Sequence, residues 1–452
     1  MPQSPRRARL LDALLFCGTV ATSVCVSLLT PALSSAVQTS LQDSPKAVLD
    51  EAWQIVYREY VDESFNSQNW VAIRQELLNR EYSSRDEAYA YLRRALQRLN
   101  DPYTRFMNPR QFEALTNQTS GELSGVGIRL QADEQVGGIK VVEPIPNSPA
   151  SAAGIQPGDR ILSIDGVSTQ GMSLEDASNR IRGELGTNLV LDMSRDGQDD
   201  SFSVTLTRAR IELPNVNHTV KQEQGVKIGY IRLTEFSAHS AEQMQRAIED
   251  LLTKDVEGFV LDLRGNPGGL LDASIAIARM WLPNGTIVRT VDRNGFSDTT
   301  RANNTALTQL PLVVLVDSLS ASSSEILTGA LMDNNRATVV GTTTFGKALV
   351  QSVHRLSDGS GLAVTVSHYY TPNGTDISQL GITPHIQVDL NEAQQQQLAS
   401  HPDRFATQAD PQYARAVGAL QSTISTSRQR QQAAQPSRTV RETNLSIRSS
   451  DR

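Results

Sequence analysis

The sequence predicts an α/β multidomain protein: an N-terminal helical domain, a β-rich module carrying helices, and a layered α/β core with a C-terminal β region. Three observations predict it. The chain has 452 residues, more than one hydrophobic core normally serves. The spacing of its apolar residues changes twice, from three-and-four periodicity to short runs between glycines, and then to buried-type runs alternating with amphipathic stretches. The balance of 39% hydrophobic to 20% charged residues is that of a globular chain, and 29 Gly and 19 Pro are too few for a fibrous or low-complexity one. With 42 Lys and Arg against 49 Asp and Glu the net charge is −7, so there is no basic surplus to attract nucleic acid, and none is expected as a partner.

Residues 1–36 read as a signal peptide or an N-terminal membrane anchor. Arg6, Arg7 and Arg9 precede an apolar run, and Ser34, Ser35 and Ala36 offer the small residues that a signal peptidase needs. Retention would make the run a single anchor and the route to membrane association. Either way the basic residues stay inside and the rest is exported. Cys17 and Cys25 both lie in this run, so the exported part has no disulfide framework, zinc knuckle or cysteine nucleophile.

Residues 37–115 are helical by the spacing of Val48, Leu49, Trp53, Val56, Trp70, Ile73, Leu77, Leu92, Leu96 and Leu99. Pro102, in Asp101-Pro102-Tyr103-Thr104-Arg105-Phe106, disfavours helix at the residue before it and closes the segment. Residues 116–210 switch to strands and turns, with a Gly-rich loop, a strand over 137–143, a helix over 173–182 and strands over 188–195 and 201–207. In Gly125-Val126-Gly127-Ile128 the glycines leave backbone N–H groups uncrowded, so that these can converge on a carboxylate. This succession resembles a PDZ domain, in which a ligand's C-terminus adds as a strand beside such a loop.

Residues 211–392 alternate strands and helices. Strands are expected at 226–233, 258–263, 311–317 and 337–341, with helices after Ser240, Gly269 and Ser322, followed by a β region including 362–370 and 386–390. Residues 393–452 read as a Gln-, Ser- and Arg-rich tail. One helix is expected over 410–420, and disorder from about Gln421, where few large apolar residues remain.

The chemistry centres on Ser318-Leu319-Ser320-Ala321-Ser322-Ser323-Ser324-Glu325-Ile326, a strand-to-helix turn in which a serine could be only a helix cap. The turn Gly341-Thr342-Thr343-Thr344-Phe345-Gly346-Lys347 follows the next strand, and α/β topology brings successive strand ends to one edge, where serine and lysine can meet. A serine hydroxyl needs a neighbouring base, and a lysine can be that base if burial lowers its pKa from about 10.4. The backbone of Asn266-Pro267-Gly268-Gly269, between a strand and a helix, can face a developing oxyanion. Gly268 with the Ser323 backbone is the expected pair of donors, and Gly269 the alternative. Six histidines show no metal spacing, and His354 has no acidic orienter in the sequence.

Asp262-Leu263-Arg264-Gly265-Asn266-Pro267-Gly268-Gly269, the Ser322 turn, Phe345-Gly346-Lys347-Ala348-Leu349-Val350-Gln351 and Tyr370-Thr371-Pro372-Asn373-Gly374 together resemble the carboxyl-terminal processing (tail-specific) proteases. The resemblance covers about residues 45–390 and implies an exported serine endopeptidase. Ser322 would be the nucleophile, Lys347 the general base and Gln351, one helical turn beyond it, the group that orients the amine. Members of that family commonly carry alanine and then serine after the nucleophile. Here Ser322, Ser323 and Ser324 are adjacent, and the spacing to Lys347 selects Ser322. The resemblance also implies tail binding by Gly125, Val126, Gly127 and Ile128, protein or peptide substrates with free C-termini, and location in a periplasm or thylakoid lumen, soluble or anchored. Members of the family process a photosystem II reaction-centre precursor or trim periplasmic and cell-wall proteins. No metal or organic cofactor enters such a mechanism. Arg182, after the PDZ helix, is the candidate for coupling tail occupancy to the core. The rival reading is an inactive PDZ scaffold that holds C-termini without cutting.

Overall fold

The computed structural model describes residues 44–133, 137–198 and 200–434. The basic and apolar start with Cys17 and Cys25, and the last part of the tail, lie outside the described residues. Among the described residues no helix is long and apolar enough to cross a membrane.

Three helices lead: α1 (Pro45–Glu59), α2 (Trp70–Asn79) and α3 (Arg85–Gln97). Asn69 and Ser84 cap the second and third through their side chains. Each of Trp53 and Trp70 donates its indole N–H to the other's backbone carbonyl, at 2.7 and 3.3 Å, which fixes α1 against α2. These helices do not close a core by themselves. Leu49, Val56, Leu92 and Leu96 pack with Leu356, Leu362 and Val364 from far along the chain.

The chain leaves them through β1 (Arg105–Met107) and α4 (Pro109–Ser120), whose end at Gly121 is left-handed, with φ +71°. A Cβ there would stand 2.5 Å from Ser237 Oγ, so only glycine fits.

The β-rich module begins at β2 (Glu122–Gly125) and continues with β3 (Ile128–Asp133), β4 (Gly138–Pro144), α5 (Pro149–Ala152), β5 (Arg160–Ile164), β6 (Val167–Ser168), α6 (Leu174–Ile181), β7 (Asn188–Ser194) and β8 (Phe202–Thr207). Its main sheet runs β3-β4-β5-β7-β8 around Val126, Ile139, Ile161, Leu189 and Leu191. Strand β9 (Ala209–Glu212) returns to pair with β2 and closes the module's neck.

The core follows: β10 (Val216–Glu223), β11 (Val226–Leu233), α7 (Ser240–Thr253), β12 (Gly258–Asp262), α8 (Leu271–Trp281), β13 (Thr286–Asp292), β14 (Ser297–Arg301), β15 (Leu312–Val316), α9 (Ser323–Asp333), β16 (Thr338–Gly341), β17 (Leu349–Arg355), β18 (Gly361–Tyr370), β19 (Ile386–Gln387), α10 (Glu392–Ser400) and α11 (Pro411–Ala434). One sheet has the order β10-β11-β12-β15-β16-β19, parallel except for β10. Its middle strands are apolar on both faces. Phe259, Leu261, Val314, Val316 and Val339 face α7, α8 and α9. The alternate residues Val260, Val313, Leu315 and Val340 face Tyr413, Ala416, Val417, Leu420 and Ile424 of α11. A second sheet, β1-β18-β13-β14 with β17 also on β18, joins the core to the N-terminal helices.

The C-terminal segment corrects the sequence reading. It is not an appendage after residue 392, nor does order end near Gln421: α11 runs to Ala434 and covers a sheet face that would otherwise meet water. The buried Arg264 fixes it there, pairing with Asp262 at 2.7 Å and with Asp410 at 2.9 Å and donating to Gln412 at 3.1 Å.

Candidate active site

The C-terminal ends of β12, β15 and β16 meet at one edge of the parallel sheet, and three loops rise from them. Asn266, wholly buried, ties the loop after β12 to the end of β11 and to the loop after β15. It donates to Leu233 O at 2.9 Å, and its carbonyl accepts from Ala321 N–H at 3.1 Å and Ser324 Oγ at 2.9 Å.

Ser322 sits immediately before α9 with φ +54° and ψ −112°. A non-glycine residue in that region stores about 1–3 kcal/mol of strain and persists only where its surroundings impose it. The turn packs so closely on Gly268 that an added Cβ there would lie 2.7 Å from Ala321 O and 2.9 Å from Ser322 Cβ. The three adjacent serines differ in employment. Ser323 Oγ donates to Gly269 O at 3.0 Å and Ser324 Oγ to Asn266 O, whereas the Ser322 hydroxyl donates to no described residue.

Ser322 and Lys347 line one cleft of about 230 Å³ with Ser323, Gly269, Gln351 and Tyr369. Lys347 is half-buried. Burial, with the nearby Arg105 charge, pushes its amine below the ordinary lysine range, against the opposing pull of Asp101 and Glu325. Its Nζ lies over the Tyr103 ring, 4.6 Å from the centroid. No hydrogen bond joins it to Ser322 Oγ, a separation common in sites without substrate.

Two residues that sequence reasoning missed hold this pair. The Glu325 carboxylate accepts from Ser322 N–H at 2.8 Å, Thr344 Oγ1 at 2.6 Å, Gly346 N–H at 2.7 Å and Lys347 N–H at 2.9 Å, so one side chain ties the serine turn to the lysine turn. Burial raises its pKa despite those donors. Tyr369, buried on β18, donates to Ser322 O at 3.2 Å and makes a short hydrogen bond to Lys347 O. Glu325 belongs to the serine motif itself, three residues after Ser322. For Tyr369 only its position beside Tyr370 was a signal.

Three expectations change. Gly268 cannot offer its N–H to an oxyanion as it stands, because that group donates to Asn266 Oδ1 at 2.9 Å. Gly269 lines the cleft, and its N–H has no partner among the described residues. Gln351 is not one helical turn beyond Lys347. It lies on strand β17, beside an irregularity in the pairing with β18. It reaches the cleft with Nε2 buried and unpartnered, and makes no hydrogen bond to Lys347. His354 does have an acidic partner, Glu59, at 2.8 Å, but that pair does not line the cleft.

The remaining candidates lie in the β-rich module. Gly125, Val126 and Gly127 are buried and Ile128 half-buried at the start of β3. Gly127 has φ +78°, and a Cβ on it would come 2.2 Å from Ser148 Cβ. Among the described residues the edge strand β3 pairs only with β4, which leaves its other side open to an added strand beside α6. Arg182 is exposed at the C-terminal cap of α6, without a contact to the cleft.

Known families match two stretches of the chain: peptidase family S41 over residues 227–388 and the PDZ domain over residues 115–193. A carboxyl-terminal-processing protease of Picosynechococcus sp. is 47% identical over 337 residues, 75% of this chain and 81% of the relative. One from Synechocystis sp. is 44% identical over 374 residues, 82% of this chain and 86% of the relative. The solved structure of a photosystem II D1 C-terminal processing protease is 38% identical, covers 76% of this chain and 93% of its own, and superposes with a TM-score of 0.50.

Proposed function

The chain belongs to the carboxyl-terminal processing proteases and is a serine peptidase, and from that premise we propose that Ser322 and Lys347 form its catalytic dyad. The observation that carries this is the strained Ser322, its hydroxyl proton donated to no described residue, in one cleft with a lysine whose proton is loosened. Ser322 Oγ attacks the scissile carbonyl carbon while Lys347 Nζ accepts its proton. The carbonyl electrons move onto oxygen, where the N–H groups of Gly269 and Ser323 receive the charge. Collapse breaks the C–N bond, and the departing amine takes the proton from Lys347. Water, deprotonated by Lys347, then opens the acyl ester, and Ser322 regains its proton as the new C-terminus leaves. Gln351 contacts the substrate through its free Nε2.

We read residues 116–210 as the tail reader and residues 211–392, with α11, as the cutting core. A substrate C-terminus adds to the open edge of β3 with its carboxylate at Gly125–Ile128, and Arg182 relays that occupancy. The basic and apolar N-terminus supports export to a periplasm or thylakoid lumen, and the likeness to a D1 processing protease makes a D1-type precursor tail the first substrate to try. Mass spectrometry of such peptides incubated with the protein decides the matter. Wild type releases a discrete C-terminal fragment and Ser322→Ala releases none. Comparable cleavage by Ser322→Ala would sink the assignment.

A further inference from the structure

Lys347 lies between two cavities. One is the cleft beside Ser322; the other, about 360 Å³, opens on the far side among Tyr60, Asp62, Asp101 and His368. Tyr103 and Lys347 line both. The ammonium makes no hydrogen bond or ion pair with a described residue, and the group it faces is the Tyr103 ring, 4.6 Å away. The turn that carries the ring is fixed by its own hydrogen bonds and by β18. Asp101 accepts from Tyr103 N–H at 2.9 Å and from Thr104 Oγ1 at 2.7 Å, Thr104 Oγ1 accepts from Thr365 N–H at 3.0 Å, and Arg105 pairs in register with Ala363 on β18.

We propose that Tyr103, carried by the turn that follows the N-terminal helices, is a positioning residue that seats the Lys347 ammonium between proton transfers. The proposal rests on Lys347 being the base. An aromatic face attracts a cation and is indifferent to a neutral amine. The protonated side chain therefore rests on the ring, and the deprotonated one is released toward Ser322 Oγ. The charged and titratable groups around Lys347 are Asp101 and Tyr103 on the turn, Arg105 on β1, Glu325 on α9 and Tyr369 and His368 on β18, with Tyr60 and Asp62 across the second cavity. Among them only Tyr103 presents a ring face to Nζ.

The test is the pH profile of kcat/KM on a cleaved peptide. Removing the ring face while keeping apolar bulk, in Tyr103→Leu, takes away a stabilisation of the ammonium. The acid limb then moves down by about one pH unit, and activity at acid pH rises several-fold relative to the plateau. Tyr103→Phe keeps the face and keeps the limb where wild type has it. Structural damage alone lowers the rate at every pH without moving the limb. Each variant is first required to show the wild-type circular dichroism spectrum, and Tyr103→Met replaces Tyr103→Leu if that one fails. An unmoved limb in the ring-free variant, with Lys347→Arg inactive, overturns the seat and leaves the dyad standing. Turnover by Lys347→Arg overturns the dyad itself, since a guanidinium stays protonated at any useful pH.

Discussion

Glu325 and Lys347 show how the environment of single side chains sets the chemistry. Four donors converge on one buried carboxylate, so the turns bearing nucleophile and base move as a unit. Lys347 pays for its place in the site by losing hydration, and repulsion from the Arg105 charge lowers its pKa further. The sign follows directly: a base with a lowered pKa is deprotonated, and active, from a lower pH upward. Acylation in the wild type should rise with pH through a value well below that of free lysine and level off above it, as measured by single-turnover release of the fragment between pH 5 and 10. An acid limb at the free-lysine value would contradict the burial described here. Neither Glu325 nor Tyr369 was legible as a linker of the two turns, because each works by backbone contacts between residues about 20 to 50 positions apart. Sequence spacing reports such contacts only through a known pattern.

At the scale of elements, the strands of the parallel sheet were legible because burial on both faces demands unbroken runs such as 312–316. Gln351 was not. Its spacing from Lys347 suits a helix, but pairing along β18 draws residues 349–355 into a strand and overrides the local reading. In α11, Tyr413, Ala416, Val417 and Leu420 announced a helical face, while Ile424 stood alone among polar residues and gave no sign that the face continues. The open edge of β3 carries the next expectation. Amidating a substrate's C-terminus removes a charge-assisted partner from the Gly125–Ile128 loop and should lower kcat/KM about tenfold. Gly127→Val, strained at φ +78° and driven into Ser148, should erase the difference between free-acid and amidated peptides while leaving slow cleavage of both. Equal rates for each pair in the wild type would leave the module without a role in reading tails.

The whole molecule is knitted by contacts between distant stretches of sequence. The N-terminal helices complete their core on β18, and the loop after β12 is locked through Arg264 to Asp410. Asp410→Ala leaves a buried guanidinium with one carboxylate in place of two. It should cost about 3 kcal/mol or more of stability, read as a lowered midpoint in urea, and weaken cleavage as the neighbouring Asn266 loop loosens. These distances also bear on the protein's birth. A ribosome delivers Ser322 long before it delivers residues 411–424, which cover the second face of the sheet, and contacts of such sequence separation form late. The emerging chain therefore carries its nucleophile on an unfinished scaffold, whose second sheet face stays uncovered until residues 411–424 have been made.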